Sequence, residues 1–122
     1  MTAADRAAVR AALMSTDLAG SDGALERLAR IARDFARFPY ENLTKILACA
    51  RTGEPERRLP AEVMADHERW GAGGTCFALT HFFGRILGAA GFEPELLFAD
   101  RSYAQDAHTA LSVTVSGGGG GG

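Results

Sequence analysis

Cys76 follows a glycine turn, Gly71-Ala72-Gly73-Gly74-Thr75, and opens a stretch whose apolar side chains at 79, 82, 83, 86, 87 and 90 repeat as one helical face. Gly91 is placed just past the end of that helix. A thiol in the first turn of a helix sits near N–H groups that lack intrahelical acceptors and near the positive end of the helix dipole. Both favour the thiolate, the reactive form. A nucleophile of this kind also needs a base. His108 is the candidate, at the head of Thr109 to Val115, an alternating and β-branched run that predicts a strand. The period of two puts His108, Ala110, Ser112 and Thr114 on one strand face and Thr109, Leu111, Val113 and Val115 on the other. The small residues beside His108 predict close approach of a helix to that face, which would bring Cys76 to His108.

Each of these residues also has a plainer reading. Cysteine is among the most buried residue types, and one in an apolar helix is usually packing. Cys49, with no glycine turn before it, is predicted to be a small core residue. A strand-end histidine is more often a surface group than a base, so the weight of His108 depends on Cys76. His81, five residues beyond Cys76, falls about 140° around the helix and away from the thiol. Asp66 and His67 are predicted at a solvated helix end, and Trp70 as packing near the turn.

The elements that must position this pair come earlier in the chain. Ala3 to Met14 predicts a short helix on an alanine-rich stripe, and Ser15 to Gly23 a connection ending in a Ser21 or Asp22 cap. Ala24 to Ala36 predicts a helix with Leu25, Leu28, Ala32 and Phe35 on one face and its arginines on a solvated one. Pro39 ends it near Arg37 or Phe38. A helical pattern resumes over Tyr40 to Ala50 through Leu43, Ile46 and Leu47. Arg51 to Leu59 reads as a polar loop. Pro60, at a first helical position, starts a helix to about Trp70. Phe92 to Ala99 predicts a strand and Asp100 to Ala107 a polar connection. Ser116 and the glycines 117–122 form a low-complexity tail, and a strand edge just before it calls for a further strand.

Composition narrows the classes of function. The chain of 122 residues is 47% hydrophobic, enough for one core, and its 13 basic and 15 acidic residues leave a formal charge of −2. No basic footprint points to nucleic acid or an anionic membrane. No apolar run reaches the roughly 20 residues of a membrane span. Neither CxxC nor HExxH is present, and His67, His81 and His108 are too dispersed for a zinc site. Two cysteines without a secretory signal predict a reduced, cytoplasmic protein.

Several motifs in order resemble the arylamine N-acetyltransferases, a branch of the transglutaminase-like, papain-like cysteine superfamily. Phe38-Pro39-Tyr40-Glu41-Asn42-Leu43 is similar to the family's Pro-aromatic-Glu-Asn-Leu segment. Gly73-Gly74-Thr75-Cys76-Phe77 is similar to its glycine pair, nucleophile and phenylalanine. Leu87 to Phe92, and His108 leading a strand, match in order and approximate spacing, so the resemblance covers roughly Asp22 to Val115. It implies Cys76 as the acyl-accepting nucleophile and His108 as the base. Three positions depart from the pattern. Ala72 stands where the family has an arginine before the glycine pair, and Ala78 stands where it has an acidic or amide residue after Cys-Phe. The third catalytic residue, an aspartate on the strand after the histidine strand, is not reached. Asp100 and Asp106 precede His108 and read as loop carboxylates.

The expectation is an α+β chain, apparently truncated. Residues 1–68 form an N-terminal helical subdomain, 69–116 the start of a cysteine-nucleophile core with its helix packed on the first antiparallel strands of a papain-like fold, and 117–122 a glycine tail. The resemblance implies acetyl-CoA as a co-substrate, with no bound cofactor and no metal. A small-molecule acyl donor and an amine acceptor are the partners it implies. Glu41 and Asn42 are expected to tie the helices to the cysteine segment through buried hydrogen bonds. The alternatives are a non-catalytic or truncated transglutaminase-like domain, and a transglutaminase-like amidohydrolase using the same two residues.

Overall fold

The computed structural model describes residues 1–53, 58–101 and 104–115, and for 99–101 and 104–107 the backbone alone. Among these residues the fold is α+β, with five helices followed by a two-stranded antiparallel sheet. The helices are α1 (Ala3–Met14), α2 (Gly23–Phe35), α3 (Leu43–Thr52), α4 (Pro60–Trp70) and α5 (Cys76–Ala89); the strands are β1 (Pro94–Arg101) and β2 (Ala104–Val113).

Local chemistry explains where most helices begin and end. Thr2 accepts from the Asp5 N–H at the start of α1. Pro60 at the head of α4 lacks only an N–H that would have no helical acceptor. Gly71, at φ +69°, stops α4 in a left-handed conformation that costs glycine little.

Several boundaries differ from the sequence expectation: α2 already ends at Phe35, and β1 spans Pro94–Arg101 rather than Phe92 to Ala99, which takes Asp100 out of the expected connection. Tyr40 to Asn42 are not helical, because Tyr40 pairs with Gly74 in a parallel bridge and α3 starts only at Leu43. The second strand begins at Ala104 rather than His108, since the polar residues before His108 continue the ladder opposite β1. An irregularity between Ala99 and Arg101 interrupts the register there.

α5 is the central element. α1, α4, α2 and β2 all pack against it, and its Phe82, Ile86 and Leu87 join Val9 and Ala12 of α1, Ile31 of α2, Val63 of α4 and Phe38 from the segment after α2 in one buried cluster. The N-terminal helices and the cysteine helix therefore share a core. An aromatic seam runs through it. Phe35 stacks on Phe83 at 4.9 Å between centroids, Phe38 meets Phe82 at 5.3 Å, and Phe38 also lies 4.4 Å from the His67 ring. This seam fixes the end of α2 against α5 and α4, and so fixes where Pro39 emerges. α3 takes little part in the core. Leu43 (67% exposed), Ile46 and Leu47 point outward, and Cys49 is half-buried rather than central.

Candidate active site

Cys76 is the first residue of α5 and is buried. The turn before it fixes its position, and three successive carbonyls of that turn are each held by a donor. The Ala72 carbonyl accepts from Nδ1 of His67 at 2.8 Å; a carbonyl oxygen only accepts, so that ring nitrogen carries the proton. The Gly73 carbonyl accepts from Nη1 of Arg58 at 2.7 Å. The Gly74 carbonyl accepts from the Glu41 N–H at 2.9 Å, while the Gly74 N–H donates to the Pro39 carbonyl at 3.1 Å. Because each peptide is planar, holding its oxygen also sets the direction of the N–H across the bond.

The glycine pair answers to packing. A β-carbon on Gly73 would overlap the Pro39 carbonyl oxygen, so the two backbones approach as only glycine permits. At Gly74 a β-carbon would stand 3.1 Å from both the Arg58 guanidinium and the Ala78 methyl. The expected link between the Pro39 segment and the cysteine segment is therefore present, but main-chain atoms make it. The Glu41 carboxylate instead accepts from the Thr44 N–H at 3.1 Å and from its hydroxyl at 2.6 Å, capping α3, and Asn42 is exposed.

At the start of α5, Thr75 has extended backbone and makes no side-chain cap. Its carbonyl accepts from the Leu79 N–H at 3.0 Å. No capping hydroxyl thus covers the end of the helix where first-turn N–H groups project, a direction suited to a developing oxyanion.

His108 is half-buried and pairs with Ala99 of β1. Its neighbour Thr109 is 3% exposed, and the Thr80 hydroxyl, one turn beyond Cys76, reaches the Thr109 carbonyl at 3.4 Å. Leu111 methyls lie 3.5 and 3.6 Å from where Gly84 would carry a β-carbon. Thr109 and Leu111 thus form the strand face that meets α5, and alternation assigns His108, Ala110 and Ser112 to the other face. This corrects the expectation that the small residues would meet the helix. The apolar volume of Leu111 fills the space opened by Gly84, where alanine would leave a void. The structure brings together the elements that carry Cys76 and His108, since α5 packs against β2. Asp100 lies in β1 and Asp106 in β2, and their side chains are outside the described residues.

Sequence reasoning missed three residues here. Arg58 was part of a polar loop, yet it is 5% exposed. Asp66 and His67 were assigned to a solvated helix end, yet both are half-buried, Asp66 holding Arg58 Nη2 at 2.8 Å and His67 holding the turn. Nothing in the sequence distinguishes Arg58 from Arg57. The only signal for His67 is its place one turn before the end of a helix that runs into the glycines. Trp70, expected to pack, is exposed beneath the Arg69 guanidinium.

Beside the turn, α5 and the sheet enclose a groove of about 540 Å³, lined by Phe77, His81, Arg85, Leu96, Phe98 and Leu111 among others. Its walls are mainly apolar, and it begins at the residue after Cys76. Among the described residues no cluster of three or more metal-ligating side chains occurs, and no helix is long and apolar enough to cross a membrane.

A family model described as N-acetyltransferase matches residues 24–119. No curated protein and no solved structure matched the chain. The matched span contains the Pro39 segment and the glycine turn, which main-chain hydrogen bonds join, together with Cys76 and His108. On that match the chain belongs to the arylamine N-acetyltransferase family, a family of acyltransferases.

Proposed function

We propose that this chain transfers an acyl group from a thioester, acetyl-CoA by family membership, to an arylamine through an acyl-enzyme on Cys76. The observation that carries the reading is the position of Cys76, first in α5 after a turn whose successive carbonyls are all held. In the first half-reaction His108 takes the Cys76 proton and the sulfur attacks the thioester carbonyl. The carbonyl oxygen then bears negative charge, which first-turn N–H groups of α5 are suited to stabilise. Collapse breaks the carbon–sulfur bond to the donor, whose thiolate receives the proton from His108. In the second half, the amine nitrogen attacks the Cys76 thioester, His108 accepts the amine proton, and Cys76 leaves as the amide is released. Catalytic hydrogen bonds in ligand-free structures are often long and tighten with substrate, and the Cys76–His108 pair takes its reactive geometry at that step.

In this reading residues 1–68 are the support, 69–116 open a papain-like catalytic core, and the substrates are cytoplasmic small molecules. The groove that starts at Phe77 supplies apolar walls for an arylamine ring. A second reading, a domain that keeps the fold without turnover, is favoured by the alternation that turns His108 to the strand face away from α5.

The pH dependence of alkylation at Cys76, with Cys49 as an internal reference, separates the two. The acyltransferase reading expects a midpoint well below the ordinary thiol value of about 8.5, lost in His108→Ala. A midpoint at that ordinary value, or one indifferent to His108→Ala, establishes the non-catalytic reading.

A further inference from the structure

We infer that Arg58 is a positioning residue for the nucleophile, acting on the glycine turn from the segment just before α4. The inference rests on the proposed role of Cys76, and it adds a residue that neither the family motif nor the sequence reading singles out. Ala72 occupies the position of the family's arginine, and a methyl group can hold nothing. Arg58 brings a guanidinium to the same glycines. Nη1 donates to the Gly73 carbonyl at 2.7 Å, and a β-carbon on Gly74 would stand 3.1 Å from that nitrogen. Nη2 donates to Asp66 at 2.8 Å, and the arginine side chain is only 4% exposed. One planar group therefore spans two acceptors, a carboxylate anchored on α4 and a carbonyl in the turn, which the fork geometry of arginine permits and a lysine ammonium does not reproduce.

The consequence runs along the backbone. Fixing the Gly73 carbonyl fixes the plane of the Gly73–Gly74 peptide, whose N–H donates on its opposite side to Pro39. That peptide is clamped from both sides, and two residues later the chain enters α5 at Cys76. A buried arginine satisfied by a carboxylate and a carbonyl is also a costly group to keep unless its geometry is needed.

The test compares wild type, Arg58→Met, which keeps the apolar stem, and Arg58→Lys, which keeps the charge. Two measurements are made on each: amide hydrogen exchange of the peptide covering 72–77, and the pH midpoint of Cys76 alkylation. The expected result for Arg58→Met is exchange on the order of tenfold faster or more in 72–77, with α1 and the second half of α5 unchanged. Its alkylation midpoint moves towards that of an ordinary thiol. Arg58→Lys falls between wild type and Arg58→Met in both. A merely structural role would speed exchange throughout the core without moving the midpoint, and that result overturns the inference. So does an Arg58→Met turn that exchanges as slowly as wild type, or a lysine variant identical to wild type in both measurements.

If Arg58→Met does not fold, Asp66→Asn loosens the same guanidinium and is read in the same way. A wild-type midpoint already at the ordinary thiol value defeats the catalytic reading of Cys76. The exchange data then still decide whether Arg58 secures the turn.

Discussion

At Gly73 the lack of a side chain is a steric requirement, and this can be weighed against a glycine that has no such role. Gly73→Ala forces a β-carbon into the Pro39 carbonyl oxygen and must push two backbones apart. It is expected to cost about 3 kcal/mol or more in denaturant unfolding. Gly88, inside α5 with nothing near the site of a β-carbon, is the control. Gly88→Ala should stabilise the protein by up to roughly 1 kcal/mol through helix propensity. Equal effects at the two positions would remove the packing argument. The glycine pair and Cys76 were legible in the sequence because their signal is local: a turn, then a helical repeat. Arg58 and His67 were not, because the partners that tie them to the turn are main-chain oxygens. A carbonyl has no residue type, so no side-chain pattern in the sequence announces which arginine will find it.

Besides their shared apolar core, α1 and α4 are tied by one carboxylate. Asp5 is buried in its folded surroundings, and its Oδ1 accepts from the Ala61 N–H at 3.0 Å, in the first turn of α4. The Thr2 hydroxyl donates to its other oxygen at 2.8 Å. The Ala61 N–H above all, and then Thr2, hold the Asp5 carboxyl below the ordinary aspartate value of 3.8, while desolvation opposes them in part. A carboxyl with a lowered folded pKa stabilises the protein fully above its unfolded pKa, and that contribution is lost as pH falls through the folded value. Unfolding free energy should therefore decline below about pH 4, and Asp5→Asn should be less stable at neutral pH with a flatter acid limb. A variant whose acid limb matches wild type would show that other carboxyls govern acid unfolding. The bounds of α1 and α4 were readable because caps and proline are local signals. The start of α3 was misplaced because Tyr40 is claimed by a partner distant in sequence, Gly74, and that of β2 because main-chain pairing of Ala104 with Arg101 extends the ladder without any signal of residue type.

At the scale of the molecule, a buried cluster joins α1, α2, α4 and α5 among the described residues, and Phe82 lies within it with no exposure. Phe82→Ala removes the ring that touches both Phe35 and Phe38 and is expected to cost about 3–5 kcal/mol in one cooperative transition. A variant in which the N-terminal helices melt separately from α5 would show that the core is less continuous than its contacts suggest. The α+β class and the helix order followed from periodicity. Which apolar residues remain outside did not, because Leu25 and Leu43 satisfy a helical stripe as well as Ile31 does, and only tertiary contact separates them.

The parallel bridge between Tyr40 and Gly74 also has an order in time. Ribosomal synthesis delivers the Pro39 carbonyl and the Glu41 N–H well before the glycines that use them, so the earlier segment is a template waiting for the later one. The thiol of Cys76 therefore takes up its buried position only when the later glycine segment docks on the earlier Pro39 segment. Its reactivity during refolding becomes a clock for that docking, ticking later than the appearance of helix.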